Sequence, residues 1–224
     1  MDKIGLACDA LRKGQFILLY DSDNRERETD FVVAGEFVKP EHIATMRKDG
    51  GGLICVAMDH NIAKNLSLPY MVDIYDKAAE KFKFLKNIKA VNLPYDERSS
   101  FSLMINHRET FTGISDKDRA LTIREFAKLA KNPKTSEFTK KFRSPGHVPL
   151  LIAADGLLKK RKGQTELSIA LMELAGLTPV SAICEMMNSP DALSKKDAIE
   201  YAKKNNLVFL EGDEVIEAYE NRNL

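Results

Sequence analysis

The residue types that could bind a metal ion or a phosphate are most concentrated between residues 21 and 30. This stretch holds five carboxylates and two arginines in ten residues, Asp-Ser-Asp-Asn-Arg-Glu-Arg-Glu-Thr-Asp. Oxygen-rich clusters suit Mg²⁺ or Mn²⁺, and an arginine such as Arg25 can bind a phosphate or carboxylate through paired hydrogen bonds. Glu26, Glu28 and Asp30 alternate, so an extended chain would project them to one side. The alternative interpretation is a solvated hairpin whose charges pair locally.

A second candidate site lies at residues 161–166, Arg-Lys-Gly-Gln-Thr-Glu, directly before a predicted helix. A helix start presents free backbone N–H groups and a positive potential, and Gly163 leaves room for an anion that Arg161 and Thr165 can also bind. This pattern predicts a phosphate-binding turn. The alternative is an ordinary capped helix behind an exposed basic stretch, residues 159–162, which by itself is also compatible with nucleic-acid binding.

Three further residues could take part in proton transfer or anion binding. His147 stands among two prolines and a glycine in Arg-Ser-Pro-Gly-His-Val-Pro, a pattern that predicts a rigid turn holding a histidine able to carry a proton. Glu185 follows an apolar strand, either as a partly buried carboxylate or as the first solvent-facing residue. Thr112 precedes Gly113 in a predicted loop and could donate to an anion. Each alone fits an ordinary turn or surface position, so only their combination indicates an active site.

Buried strands that alternate with helices must position these residues. Apolar runs predict strands at 16–20, 31–35, 53–58, 101–105, 148–154, 180–186 and 207–210. Helices are predicted at 4–13, 40–48 and 122–130, near 165 and 194 and at the C-terminus, with a loop at 107–119. The pattern predicts an α/β (α+β) fold with a mixed β-sheet covered by helices. No linker rich in Pro, Gly or Ser interrupts residues 1–224, so we expect one domain.

Composition disfavours several classes of function. The 34 Lys and Arg residues against 33 Asp and Glu give a net charge of +1, without the basic excess of a general nucleic-acid binder. A nucleic acid is therefore not an expected partner. A membrane is not expected either, because no apolar run approaches the roughly 20 residues that span a bilayer. Three widely spaced cysteines in apolar surroundings indicate reduced, buried thiols, and we expect a cytoplasmic protein.

Six blocks of the sequence, taken in order, resemble the 3,4-dihydroxy-2-butanone 4-phosphate synthase family over nearly the whole chain. They are Arg-Glu-Arg-Glu-Thr-Asp at 25–30, Gly-Leu-Ile-Cys at 52–55, Thr-Phe-Thr-Gly-Ile-Ser at 110–115 with Asp118 and Arg119, Ser-Pro-Gly-His at 144–147, Arg-Lys-Gly-Gln-Thr-Glu at 161–166, and Cys-Glu at 184–185. Six ordered blocks are far more specific than any single one. With no added cyclohydrolase domain, the chain is similar to the monofunctional, archaeal-type form.

The resemblance implies an enzyme of riboflavin biosynthesis, a carbon–carbon lyase that works as a homodimer with Mg²⁺ or Mn²⁺. The implied reaction converts D-ribulose 5-phosphate to L-3,4-dihydroxy-2-butanone 4-phosphate and formate by enolisation, loss of water, skeletal rearrangement and expulsion of formate. The resemblance implies metal ligands at Glu26 and Gln164 and proton transfer by His147 and Glu185. The implied substrate-binding residues are Arg25, Glu26, Asp30, Thr112, Arg161, Lys162, Gly163, Gln164, Thr165 and Glu185.

Position 164 departs from the family pattern Arg-x-Gly-His-Thr-Glu, in which the histidine is a metal ligand. Gln164 can bind a cation only through its neutral amide oxygen and lacks the preference of imidazole for softer metals. Two hypotheses follow. The first is an active Mg²⁺- or Mn²⁺-dependent synthase in which Gln164 replaces the histidine as a ligand or acts through water. The second is a non-catalytic relative that binds sugar phosphates.

Overall fold

The computed structural model describes residues 2–94 and 96–222, in which strands and helices alternate. The strands are β1 (Ile17–Tyr20), β2 (Thr29–Ala34), β3 (Cys55–Met58), β4 (Val91–Leu93), β5 (Asp96–Arg98), β6 (Phe101–His107), β7 (Phe142–Ile152), β8 (Val180–Glu185) and β9 (Val208–Glu211). The helices are α1 (Lys3–Arg12), α2 (Pro40–Thr45), α3 (His60–Leu66), α4 (Met71–Ala78), α5 (Asp116–Ala130), α6 (Thr135–Lys141), α7 (Gln164–Leu174), α8 (Lys195–Lys204) and α9 (Gly212–Asn221). None of the described helices is long and apolar enough to span a bilayer.

Seven strands form one mixed sheet in the order β6-β7-β3-β8-β2-β1-β9. The β1/β9 and β3/β7 pairs are parallel, and the other neighbours are antiparallel. The short strands β4 and β5 form a separate hairpin outside this sheet. The expected α/β class with mixed strand direction is therefore confirmed.

Helices cover both faces of the sheet. Side chains alternate across β1, so Leu18 and Tyr20 pack with α2, α5 and α8 on one face, while Ile17 and Leu19 pack with α1, α7 and α9 on the other. Strands covered on both faces are buried at every position, as in β1, β2 and β3. This double burial explains why continuous apolar runs, rather than alternating ones, marked the strands in the sequence.

One predicted helix boundary is wrong. Helix α5 begins at Asp116, not at Thr122, because Ser115 caps it by accepting a hydrogen bond from the backbone N–H of Asp118 (3.1 Å). Thr122 lies inside the helix and is fully buried, where its hydroxyl accepts from the backbone N–H of His107 (3.0 Å). The predicted loop at 107–119 is confirmed for residues 108–115, while its ends belong to β6 and to the first turn of α5.

The predicted rigid turn around His147 is a bulge within a strand. Arg143 pairs with Asn106 and Val148 pairs with Ile105, so the four residues 144–147 are displaced from the β6–β7 ladder. Gly146 makes this possible, since a Cβ there would lie 2.0 Å from the carbonyl carbon of Ile105. The chain continues along β7 after the bulge instead of reversing.

Candidate active site

The charged segment after β1 is a loop that Asp21 holds in shape. The buried Asp21 carboxylate accepts hydrogen bonds from the backbone N–H groups of Glu26 (2.9 Å) and Glu28 (3.1 Å). Arg27 lies between them with a left-handed φ of 61°. Asp30 belongs to β2, which starts two residues earlier than predicted. The hairpin of the alternative interpretation is present, since β1 and β2 pair antiparallel and Arg25 pairs locally with Asp21, but it is not solvated throughout, because Asp21 and Asp30 are only 2% and 1% exposed.

Asp21 gives the first stability prediction. We expect Asp21→Ala to lower the free energy of unfolding by about 2–3 kcal/mol, because it removes two charge-assisted hydrogen bonds to the loop backbone. Urea denaturation followed by circular dichroism measures this loss. The exposed Asp155 provides a matched control, and Asp155→Ala should change stability little. Equal losses in the two variants would contradict the role given to Asp21.

Carboxylates from the loop and two strands meet in a cavity of about 350 Å³. The β2–β8 pairing places Asp30 directly opposite Glu185. Glu185 is held there because its Oε2 accepts from the backbone N–H of Leu53 (2.7 Å), and a Cβ on Gly52 would lie 2.3 Å from the same oxygen. Of the residues implied by the resemblance, those lining this cavity are Arg25, Glu26, Asp30, Arg161, Gln164, Thr165 and Glu185.

The cavity favours positive charge. Burial raises the pKa of Glu28 to about 7, with repulsion from Glu26 and Glu185 adding to the effect. Burial, reinforced by neighbouring carboxylates, also raises the pKa of Glu26 and raises that of Asp30 well above its usual range. In addition, Asp30 Oδ1 is buried without a hydrogen-bond partner. A bound cation would relieve both the repulsion and the desolvation of these groups.

The raised pKa of Glu28 has a measurable effect on stability. In chelator, we expect the unmodified protein to lose thermal stability relative to Glu28→Gln as the pH rises from about 4.5 to about 7. Because the folded-state pKa lies above the unfolded value, the folded state binds more protons in this window, and raising the pH removes that stabilisation. Calorimetry of both proteins across the window measures the difference. A difference that is constant with pH would contradict the prediction.

Two guanidinium groups meet at the cavity, that of Arg161 from the turn before α7 and that of Arg25 from the loop between β1 and β2. A Cβ on Gly163 would lie 2.4 Å from Arg161 Nη1 and 2.9 Å from Arg25 Nη2, so only glycine allows this approach. Arg161 Nη1 donates to Glu166 Oε2 (2.5 Å), and the other oxygen of Glu166 accepts from the backbone N–H of Ala154 (2.9 Å). Glu166 is fully buried and therefore fixes the position of Arg161.

The remaining residues of the predicted phosphate-binding turn occupy different places. Thr165, in the first turn of α7, is 4% exposed and lines the carboxylate cavity. Lys162 is exposed and lines a neighbouring cavity of about 780 Å³, which also contacts Arg25 and Arg161. The structure thus brings Arg161, Gly163 and Thr165 to the carboxylates and leaves Lys162 at the second cavity.

Gln164 lines the cavity and has an amide oxygen without a partner. Its Nε2 donates to the backbone carbonyls of Leu19 (3.0 Å) and Glu28 (3.0 Å), which fixes the orientation of the amide. Its Oε1 is buried and has no hydrogen-bond partner, although the side chain lines the carboxylate cavity. Buried polar atoms are normally paired, and an unpaired amide oxygen in such a place fits a hard cation or its water.

The donor set therefore fits a divalent cation that binds oxygen. Within residues 2–94 and 96–222, no three carboxylate, imidazole or thiol side chains converge closely enough to form a complete metal site. The carboxylate of Glu26 and Oε1 of Gln164 are the candidate protein ligands. Mg²⁺ usually keeps several waters and takes only one or two protein ligands, so substrate and water oxygens would complete its coordination.

Two of the implied site residues lie elsewhere in the chain. Thr112 and His147 meet around the buried Asn106, whose Nδ2 donates to the Thr112 carbonyl (3.2 Å) and lies 3.2 Å from His147 Nδ1. Asn106 Oδ1 accepts from the backbone N–H of His147 (2.8 Å). This second cluster lies at the β6 edge of the sheet, with Asn106 in β6, His147 in β7 and Thr112 in the loop after β6. Neither Thr112 nor His147 lines the carboxylate cavity.

Two residues that organise the site were not predicted in that role: Asp21 was included only as one carboxylate of the stretch 21–30, and Asp96 was not singled out at all. Asp21 had a usable signal, since an aspartate directly after a strand often accepts from backbone N–H groups a few residues later. Asp96 had no such signal in the sequence, because the apolar residues of the segment before it do not recur with the spacing of a helix or a strand. On β5, its carboxylate pairs with Arg161 and lies 3.6 Å from Arg25 Nη2.

A mixed α/β sheet with a carboxylate-lined cavity beside an arginine-bearing helix start is typical of enzymes that bind small anionic substrates. Comparison with known proteins gives the family. A model of the family described as 3,4-dihydroxy-2-butanone 4-phosphate synthase matches residues 6–218. The chain belongs to this family.

Relatives and solved structures agree with this assignment. A synthase of this name from Methanothermobacter thermautotrophicus is 51% identical over 95% of this chain and 94% of its own. Another, from Methanosarcina mazei, is 48% identical over 97% of this chain and 91% of its own. A crystal structure of such a synthase in complex with two magnesium ions matches with a TM-score of 0.80 and 28% identity, over 100% of this chain and 99% of that one.

Proposed function

We propose that this protein converts D-ribulose 5-phosphate to L-3,4-dihydroxy-2-butanone 4-phosphate and formate, as a carbon–carbon lyase that supplies the four-carbon unit of riboflavin. The observation that carries the proposal is the carboxylate cavity beside Arg161, Gly163 and Thr165 in a chain of this family. Residues 1–224 would form one synthase domain. The three cysteines are buried and unpaired, which supports a cytoplasmic location.

Mg²⁺ or Mn²⁺ would be held by Glu26 and by Oε1 of Gln164. When bound, such a cation supplies Lewis-acid polarisation of the carbonyl and diol oxygens of the sugar. The unpaired Oε1 and the raised pKa of Glu26 support this pair of ligands. Arg161 and Thr165 would bind the phosphate and so hold the flexible sugar in one orientation, which lowers the entropic part of the barrier.

Carboxylates of the cavity would move the protons of the reaction. Glu185 is fixed by the backbone N–H of Leu53 and faces Asp30 across the β2–β8 pair. We propose that Glu185 exchanges protons with the sugar and that Asp30 contacts its hydroxyl groups. The pKa of Glu28, about 7, also allows this side chain to take up or release a proton near neutral pH.

We propose a homodimer in which a second copy supplies Thr112 and His147. Both residues are absent from the cavity of their own protomer, and the loop beside them exposes large apolar side chains. Phe111 is 92% and Ile114 is 51% exposed. Adjoining apolar residues exposed to this degree are typical of a protein interface.

Mixing two inactive variants tests this arrangement. We expect His147→Ala and Glu26→Gln each to be inactive as homodimers, and we expect activity to return in part when subunits are exchanged. A mixed dimer contains one site with neither substitution, because His147 and Glu26 of one site come from different copies. A monomer by analytical ultracentrifugation, or no recovery after confirmed subunit exchange, would contradict the proposal.

The reaction itself is tested by incubating the purified protein with D-ribulose 5-phosphate and measuring formate, with Mg²⁺, with Mn²⁺ and with chelator. We expect formate with either metal and none with chelator. The second hypothesis, a non-catalytic relative, is motivated by Gln164 and predicts binding of ribulose 5-phosphate without formate. In that case Gln164→His should increase metal affinity. Turnover by the unmodified protein eliminates this second hypothesis.

A further inference from the structure

Arg161, the proposed phosphate anchor, already pairs with two carboxylates. Arg161 donates from Nη1 to Glu166 and from Nε to Asp96. Although burial lowers the pKa of Arg161, the charges of Glu166 and Asp96 outweigh it and raise the pKa. Asp96 Oδ2 also lies 3.6 Å from Arg25 Nη2. The Asp96 carboxylate is therefore shared by both guanidinium groups, which line both the carboxylate cavity and its larger neighbour.

The two carboxylates that pair with Arg161 differ in how easily they can move away from it. Glu166 is fully buried within the first turn of α7 and also accepts from the backbone of Ala154. Asp96 lies on the β4–β5 hairpin, which forms no ladder with the main sheet and is largely exposed. Few buried contacts make such a hairpin the easier element to move.

The base of the hairpin is held by other contacts. Arg98 stacks on the ring of Tyr70 at 3.9 Å, and Lys89, just before β4, pairs with Asp76 at 2.5 Å. These contacts lie at the two ends of the hairpin, so Asp96 can shift while the ends stay attached. Asp96 is thus tethered close to Arg161 at a high effective concentration.

We propose that Asp96 is an internal anion that occupies Arg161 and Arg25 until the phosphate of the substrate displaces it, and that the β4–β5 hairpin moves with it. The inference rests on the proposed function, since it takes Arg161 as the phosphate anchor. A phosphate dianion and Asp96 repel each other and compete for the same donors. Only the fraction of protein in which Asp96 has left binds phosphate, so Asp96 weakens the apparent affinity.

Isothermal titration with inorganic phosphate tests the proposal. We expect Asp96→Asn to bind phosphate about tenfold more tightly than the unmodified protein, because the competing charge is lost. Glu97→Gln is the matched control: it removes the same charge from the next, exposed residue and should leave the affinity unchanged. A structural role for Asp96 would predict weaker binding on substitution. Equal or weaker phosphate binding by Asp96→Asn, or no binding at all, overturns the proposal.

Hydrogen exchange in the unmodified protein gives a second test that does not depend on the folding of a variant. We expect inorganic phosphate to speed amide exchange in β4 and β5, and phosphate that leaves this exchange unchanged or slows it overturns the proposal. Neither measurement uses turnover. If ribulose 5-phosphate yields no formate, the proposed function fails, while the phosphate affinity of Asp96→Asn still decides the role of Asp96.

Discussion

Glu26→Gln is expected to lower the rate of formate release by roughly 10²–10⁴-fold. Glu26 supplies the only charged candidate ligand beside the neutral oxygen of Gln164. With glutamine at both positions, a hard divalent cation would meet two neutral amide oxygens, and its affinity would fall because ligand charge determines much of the affinity for hard cations. The substitution keeps the shape of the side chain, so the loop held by Asp21 should be preserved.

Electron paramagnetic resonance of Mn²⁺ separates metal binding from turnover in this variant. We expect Glu26→Gln to leave most of the Mn²⁺ free at concentrations that saturate the unmodified protein. Glu41→Gln, an equivalent change at an exposed position in α2, should bind Mn²⁺ and release formate normally. Normal Mn²⁺ binding by Glu26→Gln would show that Glu26 is not a ligand.

Arg161→Met is expected to destabilise the protein by about 3–5 kcal/mol and to abolish phosphate binding. The substitution leaves the fully buried Glu166 without its partner, and an uncompensated buried charge carries a cost of this size. Urea denaturation measures the loss of stability, and calorimetric titration measures the phosphate affinity.

A double variant separates the two effects of Arg161. In Arg161→Met/Glu166→Gln, the new amide oxygen can still accept from the backbone of Ala154, while the buried charge is gone. We expect this variant to regain most of the stability and none of the phosphate affinity. If phosphate binding returns with stability, Arg161 is a structural residue and not the anchor.

The large elements were predictable because their burial is uniform. Strands such as β1 and β3, covered on both faces, appear in the sequence as unbroken apolar runs. The start of α5 was missed because Thr122 and Ser115 are both acceptable caps by residue type. In the structure, Thr122 lies within the helix, where its hydroxyl donates to the carbonyl of Asp118 and accepts from the backbone N–H of His107.

The site was predictable where its residues adjoin those elements. Asp30 and Glu185 lie at the ends of paired strands, and Gln164 and Thr165 start a helix, so the topology brings them together. Asp96 was not predicted, because its hairpin packs through isolated side-chain contacts. Such contacts leave no periodic pattern in the sequence. The separation of His147 from the cavity depends on the β6–β7 bulge, which no local pattern specifies.

Carbon-13 nuclear magnetic resonance of D-ribulose 5-phosphate labelled at C4 follows the carbon that the proposed reaction expels as formate. We expect the unmodified protein, with Gln164 in place, to release the label as formate in the presence of Mg²⁺ and to leave it in the sugar phosphate when chelator is added. Label that stays in the sugar phosphate with both Mg²⁺ and Mn²⁺, under conditions where the substrate binds, would contradict the claim that this cavity catalyses the reaction.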